Sequence, residues 1–250
     1  IVGIYLKTKK FENNLGKMLS GMLNNMESRG PDSAGFAIYK NEGNKIYKFS
    51  LCINNLNFNI FKKELSKKIK KIKLNQISDH VILKTEEKPK KILEILNLNF
   101  PEVSIVGYGK SIEIFKQVGN PKDVVKKFKL ADFVGTHGIG HTRMATESAI
   151  TTDGSHPYST GEDECLVHNG SLSNHNNLRR ELTKKGNVFN SENDTEVAAG
   201  YISHSLSNKK SLKDTLTSGL KDLDGFYTFI TGTRKGFAVV RDEIACKPAV

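Results

Sequence analysis

The sequence lacks several features that would fix its class at once. No stretch approaches the roughly 18 uninterrupted apolar residues that a membrane-spanning helix requires. No basic leader followed by an apolar run is present, so no secretory signal is expected within these residues. Cysteine is scarce: Cys52, Cys165 and Cys246 are scattered and show no CxxC spacing. That pattern argues against a disulfide framework or a structural zinc site and favours a reducing, cytoplasmic setting. There is no internal repeat and no low-complexity linker, and the Gly135–Gly140 stretch does not open a helix with GxGxxG as a dinucleotide loop would. Acidic residues are outnumbered, 27 against 38 basic, for a formal net charge of +11. Such an excess fits either a polyanionic partner or a lysine- and asparagine-rich habit. The clusters at Lys67–Lys73 and Lys88–Lys91 have none of the interleaved aromatics that single-strand binders stack bases on. The second explanation is therefore preferred, and neither a nucleic-acid nor a membrane partner is expected.

What is present suits a globular protein. The 250 residues are 37% hydrophobic and 26% charged, enough for one large domain or two small ones. Ile1–Leu6 reads as a buried strand. Leu15, Met18, Leu19, Met22, Leu23 and Met26 recur at helical spacing and predict an amphipathic helix over Asn13–Ser28. Ala34–Tyr39 and Lys45–Leu51 read as strands paired across Asn41-Glu42-Gly43-Asn44. Helices are expected at Phe61–Ile72, Pro89–Leu96, Pro121–Phe128, Asn174–Lys185, Thr195–Leu206 and Ser211–Leu220. Further strands are expected at Ser78–Lys84, Val103–Tyr108, Gly135–Arg143, Glu164–His168, Phe226–Thr231 and Phe237–Arg241. Strands gather at both ends with helices between, which predicts an α+β sandwich rather than alternating βαβ units.

Four segments place polar residues where a core would want apolar ones. They are Arg29-Gly30-Pro31-Asp32-Ser33-Ala34-Gly35, Gly140-His141-Thr142-Arg143-Met144-Ala145-Thr146, His168-Asn169-Gly170 and Asn193-Asp194-Thr195-Glu196. Each alone has a plain structural explanation. The first fits a helix-to-strand turn. Asn169-Gly170 is a favoured hairpin dipeptide. Asp194 suits a helix start, Arg143 a surface ion pair, and His141 and His168 an ordinary hydrogen-bonded interior. His141, His156 and His168 lack HxxxH spacing, and no metal site is expected from them. Cys165 lies in an apolar run where an inert buried thiol is expected.

Taken together and in this order, the four segments resemble the class II glutamine amidotransferases, members of the N-terminal nucleophile hydrolases. The resemblance covers essentially the whole chain. It implies an α+β, four-layer αββα sandwich forming a single domain over residues 1–250. Arg29 and Arg143 are 114 positions apart, which implies a small α/β insertion at about 49–134. That insertion, with its Phe115-Lys116-Gln117-Val118-Gly119 phrase, and the Thr146–Pro157 stretch look like the amidotransferase subunits related to glutamate synthase and N-methylglutamate synthase. Family members begin Cys-Gly-Ile-Val-Gly. Ile1-Val2-Gly3 enters that pattern two residues late, so the nucleophilic cysteine is expected two residues ahead of Ile1, and the sequence is also expected to stop before the domain does.

The resemblance further implies roles. The cysteine thiol attacks the side-chain amide of L-glutamine while its own α-amino group moves the proton; a terminal amine, with a reference pKa near ~7.7–8.0, is usable near neutrality. Asn169 and Gly170 form the oxyanion hole. Arg143 holds the α-carboxylate through its fork, Asp194 the α-ammonium, and Thr146 lies on the glutamine loop. Arg29 is a supporting residue near the nucleophile. No cofactor is expected in this domain, and the ammonia is expected to pass to a synthase partner carrying flavin and iron–sulfur centres. Two rival readings stay open: a catalytically silent glutamine-binding or assembly subunit, and a basic nucleic-acid-binding protein.

Overall fold

The computed structural model describes residues 1–54, 56–144 and 150–249. In chain order the elements are β1 (Val2–Tyr5), α1 (Leu15–Asn25), β2 (Ser33–Tyr39), β3 (Tyr47–Cys52), α2 (Phe58–Lys68), β4 (Lys73–Ile77), β5 (His80–Thr85), α3 (Pro89–Asn99), β6 (Ser104–Gly109), β7 (Ile112–Val118), α4 (Pro121–Lys127), β8 (His137–Arg143), β9 (Cys165–Leu172), α5 (His175–Lys184), α6 (Asp194–Ser207), α7 (Leu212–Asp222), β10 (Gly225–Thr233) and β11 (Gly236–Arg241). Short 3-10 turns at Lys9–Asn14 and Glu27–Arg29 flank α1.

The strands form three sheets, ordered β1-β8-β2-β7, β11-β10-β9 and β4-β5-β3-β6. Apolar patterning stacks the first two between helices. On α1, Leu15, Leu19 and Leu23 recur every fourth position and so share one face. That face meets Phe36, Ile38, Phe115 and, from α4, Val124 on one side of the first sheet. Side chains alternate along a strand, so Ala37, Tyr39, Ile112, Ile114 and Ile139 point the other way, onto Cys165, Val167 and Ile230 of the second sheet. The outer face of that sheet, with Leu166, Leu172, Tyr227 and Phe229, is covered by Ala198 and Ile202 of α6 and Leu216 of α7. The result is the four-layer α+β arrangement of helix, sheet, sheet and helix. The third sheet packs Phe49, Leu51, Val81 and Leu83 against Phe61 and Leu65 of α2 and Ile92 and Leu96 of α3.

The expected pairing of Ala34–Tyr39 with Lys45–Leu51 does not occur. β2 lies between β8 and β7, whereas β3 lies between β5 and β6. All seven residues of β2 are buried, which needs a neighbour on both edges and a layer on both faces; a two-stranded hairpin supplies neither. Within the expected insertion at about 49–134, the separate sheet runs from β3 to β6, while β7 and α4 belong to the first sheet and its helical layer. No helix among the described residues is long and apolar enough to cross a membrane.

Candidate active site

Two of the four polar segments are neighbours in the first sheet. Ser33, Ala34 and Gly35 of β2 stand opposite Arg143, Thr142 and His141 of β8. Gly30 lies against the end of β8: a Cβ there would fall 2.4 Å from the carbonyl carbon of Thr142 and 2.7 Å from the nitrogen of Arg143. Only a residue without a side chain brings the turn that close. The N–H of Asp32 then donates to the carbonyl of Arg143 at 3.0 Å and fixes the strand end. Arg143 is 7% exposed and shares its face of β8 with His141, two residues earlier. Arg29 is exposed on its 3-10 turn after α1, and the start of β1 runs beside this strand end, with Val2 opposite Gly140. Thr146 lies outside the described residues.

The third segment is in the facing sheet. The strand expected to stop at His168 continues through Asn169-Gly170 to Leu172, so this dipeptide does not make a hairpin turn. Asn169 is half-buried opposite Thr228, and Gly170 stands exposed opposite Tyr227 with φ +145°. An added Cβ at Gly170 would meet the Phe226 carbonyl oxygen at 1.9 Å.

The fourth segment opens α6. Asn193 caps the helix by accepting the Thr195 N–H at 2.9 Å. Asp194 follows in the first turn, where a carboxylate is favoured by the helix dipole. Its Oδ2 accepts the N–H of Leu172 at 2.9 Å, tying the helix start to the end of β9. Burial alone would raise this carboxyl, but the imidazole of His168, 3.7 Å from Oδ1, and the Leu172 N–H outweigh burial and hold it below the usual carboxylate range.

Behind these residues lies a buried histidine cluster. The rings of His141 and His156 stack with centroids 3.9 Å apart. Nε2 of His141 is 2.9 Å from the His168 carbonyl oxygen, and both His156 Nε2 and His168 Nδ1 reach the hydroxyl of Thr195, at 2.9 and 3.0 Å. Burial holds His141 and His156 well below the usual imidazole range. Lys116 and Tyr158 complete the surroundings, and the sequence reading assigned neither a role. Lys116 Nζ donates to the carbonyls of Asp153 and Ser155 at 3.0 and 2.8 Å and sits 4.7 Å over the Tyr158 ring; burial lowers it to about 8. Tyr158 feels the charges of both Arg143 and Asp194. The only signal for Lys116 was a lysine within an otherwise strand-like phrase.

Elsewhere, burial pushes the Cys165 thiol up to about 12, against the Tyr39 hydroxyl at 3.2 Å, which suits an inert interior group. Among the described residues one grouping has metal-ligand spacing, Cys52, Asp79 and His80 in the third sheet. There, Asp79 is already engaged by His80 and Lys127, each at 3.0 Å. A cavity of about 760 Å³ bordered by β4, β5 and α4 includes Lys73, Lys84 and Phe128 in its walls and none of the expected site residues.

Comparison with known proteins bears on the family and the fold. Residues 141–250 match the glutamine amidotransferase domain family. The glutamine amidotransferase-like protein GlxB of Rhizobium meliloti is 49% identical over 253 residues, spanning 100% of this chain and 84% of its own length. The glutamine–fructose-6-phosphate aminotransferase of Idiomarina loihiensis is 32% identical over 137 residues, 55% of this chain and 22% of that enzyme. Among solved structures, the glutamine phosphoribosylpyrophosphate amidotransferase of B. subtilis superimposes with a TM-score of 0.54 at 20% identity, covering 96% of this chain and 36% of the larger one, a likeness of fold. With a relative 49% identical across the whole of this chain and the four layers in place, the chain belongs to the class II glutamine amidotransferases.

Proposed function

We propose that this chain binds L-glutamine between the end of β8, the Asn169-Gly170 step of β9 and the start of α6, and that with a cysteine two residues ahead of Ile1 it hydrolyses glutamine to glutamate and ammonia. The observation that carries this is a register. Val2 pairs with Gly140 in the antiparallel β1–β8 ladder. Continued two residues upstream of Ile1, that register reaches Arg143. A nucleophile there would face the residue suited to gripping the α-carboxylate of the substrate, and Asp194, across the cluster, suits the α-ammonium.

The chemistry then follows from the groups. The thiol gives its proton to its own α-amino group and attacks the carboxamide carbon. The oxyanion takes hydrogen bonds from the Asn169 side-chain amide and the Gly170 N–H, a neutral pair that needs no change of protonation. Collapse with proton return expels ammonia and leaves a thioester, and water releases glutamate and regenerates the thiol. The ammonia acceptor is a glutamate-synthase-like partner carrying flavin and iron–sulfur centres, while this domain itself needs no cofactor; the long separation of Arg29 from Arg143 supports that branch.

The test uses the protein with its native upstream residues. Glutamine-dependent ammonia release is expected, together with covalent capture of the N-terminal thiol by a glutamine-like electrophile. Arg143→Lys is expected to raise KM for glutamine with little change in kcat, and Asn169→Ala to lower kcat by about 100-fold or more with KM nearly unchanged. Glutamine binding with no ammonia release and an unlabelled N-terminus would support the silent subunit instead.

A further inference from the structure

The histidine cluster can be resolved proton by proton. The His168 carbonyl can only accept, so His141, neutral by burial, carries its proton on Nε2 and donates it there at 2.9 Å. His156 is also neutral. A proton on its Nδ1 would be a buried donor without a partner, which is the costly arrangement. Its proton therefore sits on Nε2 and goes to the Thr195 hydroxyl at 2.9 Å. The same test applied to His168, whose Nε2 has no partner, puts its proton on Nδ1, which also faces the Thr195 hydroxyl, at 3.0 Å. Thr195 Oγ1 now accepts twice and has one proton left. Its remaining neighbour is Oδ1 of Asp194 at 3.3 Å. This assignment leaves no N–H or O–H of the cluster unpaired. The three nitrogens without partners, His141 Nδ1, His156 Nδ1 and His168 Nε2, are then all bare lone pairs, the cheaper kind of vacancy.

We infer that Thr195, 1% exposed, is a positioning residue for glutamine recognition: the ring N–H groups of His156 and His168, at 2.9 and 3.0 Å, occupy its hydroxyl oxygen and leave the hydroxyl only one direction to donate, onto Asp194. With Leu172 N–H on Oδ2 and Thr195 O–H on Oδ1, both carboxylate oxygens are anchored and one lobe of each stays available for the substrate ammonium. The network also joins the three elements of the site. His141 is two residues before Arg143 on β8, His168 immediately precedes Asn169 on β9, and Thr195 immediately follows Asp194 on α6. β9 is the edge of its sheet, so the His168 carbonyl, on the peptide leading into Asn169, takes its hydrogen bond from His141 across the sandwich.

The inference rests on Asp194 as the ammonium ligand, and the experiment separates the two. First, nitrogen-15 spectra of the histidine rings in the full-length protein are expected to show Nε2–H for His141 and His156 and Nδ1–H for His168. Any other pattern overturns the network whatever the activity. Second, Thr195→Val is expected to raise KM for glutamine about 10- to 100-fold, the effect of losing one hydrogen bond to a charged group, with kcat within about threefold. Thr195→Ser, which keeps the hydroxyl, is expected to restore KM to within about threefold. A wild-type KM in Thr195→Val, or a folded Thr195→Ser as impaired as the valine variant, overturns the positioning role. Asp194→Asn is the control: an unchanged KM there removes Asp194 as ligand, and a raised KM there with normal Thr195→Val removes only the network.

Discussion

At Gly170 backbone conformation and space act together, and the two can be separated by comparison with another glycine. Gly170 has φ +145° and Gly119 has φ +126°, both outside the range of ordinary residues. An alanine Cβ at Gly119 would meet nothing within 4 Å, whereas at Gly170 it would lie 1.9 Å from the Phe226 carbonyl oxygen and 2.9 Å from His168 Nε2. Gly119→Ala therefore carries conformational strain alone, about 1–3 kcal/mol. Gly170→Ala must also push β9 away from β10, or His168 away from its place, and is expected to exceed Gly119→Ala by about 2 kcal/mol or more in urea unfolding. If Gly170→Ala proves no more costly than Gly119→Ala, the close approach of β9 and β10 is wrong. At this scale the sequence was misleading about local shape. Asn169-Gly170 is a hairpin dipeptide by propensity, yet it continues a strand, because the positive φ that suits a turn also permits this crowded step.

Among the elements, β6 and β7 are joined by a tight Lys110-Ser111 link that has no cap of its own and borrows one from far along the chain. Asp163, buried and itself at φ 56°, accepts the N–H of Lys110 on Oδ2 at 3.0 Å and those of Ser111 and Ile112 on Oδ1 at 2.7 and 3.0 Å. Asp163→Asn keeps the volume but turns one oxygen into a donor facing an N–H. It is expected to cost about 1–3 kcal/mol and to speed amide exchange at Lys110–Ile112 more than in β9; uniform acceleration across the protein would count against this local cap. Such remote support explains what the sequence could not show. The helices were legible because most carry their own periodicity and several their own caps, as with Asn57 for α2 and Asn120 with Pro121 for α4. β4, largely exposed, has too little apolar alternation to read as a strand. β7 was obscured by Lys116, whose burial is understandable only once the carbonyls of Asp153 and Ser155 are seen around it. The β2–β3 pairing failed for a related reason: both strands are central in their sheets, and their true partners, β7 and β8, β5 and β6, are set by tertiary packing rather than by the turn between them.

For the whole molecule, the four ordered segments pointed to the family, and their described residues come together from both sheets and a helix, while the separate third sheet was legible only as an α/β alternation. The balance of stability with pH was not legible at all, since it depends on which ionisable groups the layers enclose. Glu42 and Asp79 are held at about 2 by lysine and, for Asp79, histidine hydrogen bonds that outweigh burial. Their folded values lie below the ordinary carboxylate range, so they stabilise the fold at neutral pH and lose that contribution as pH falls towards about 2. Glu164 behaves oppositely. Burial first, then the charges of Asp163 and Glu162, raise it to about 7, with Ser203 opposing, and its Oε2 has no partner. The folded protein therefore holds a proton that the unfolded chain releases at its ordinary, lower value. Unfolding releases that proton between the ordinary value and about 7, so stability falls as pH rises through this window and the full penalty is present above it. Glu164→Gln removes the titration while keeping the shape. Its stability relative to the natural protein is expected to be unchanging below the ordinary carboxylate range, to improve steadily up to about pH 7 and to level off beyond. A relative stability that stays flat from pH 4 to 8 in parallel urea titrations would mean that Glu164 is ionised in the folded state at neutral pH, and that its carboxylate lies in water rather than against Ser203 of α6.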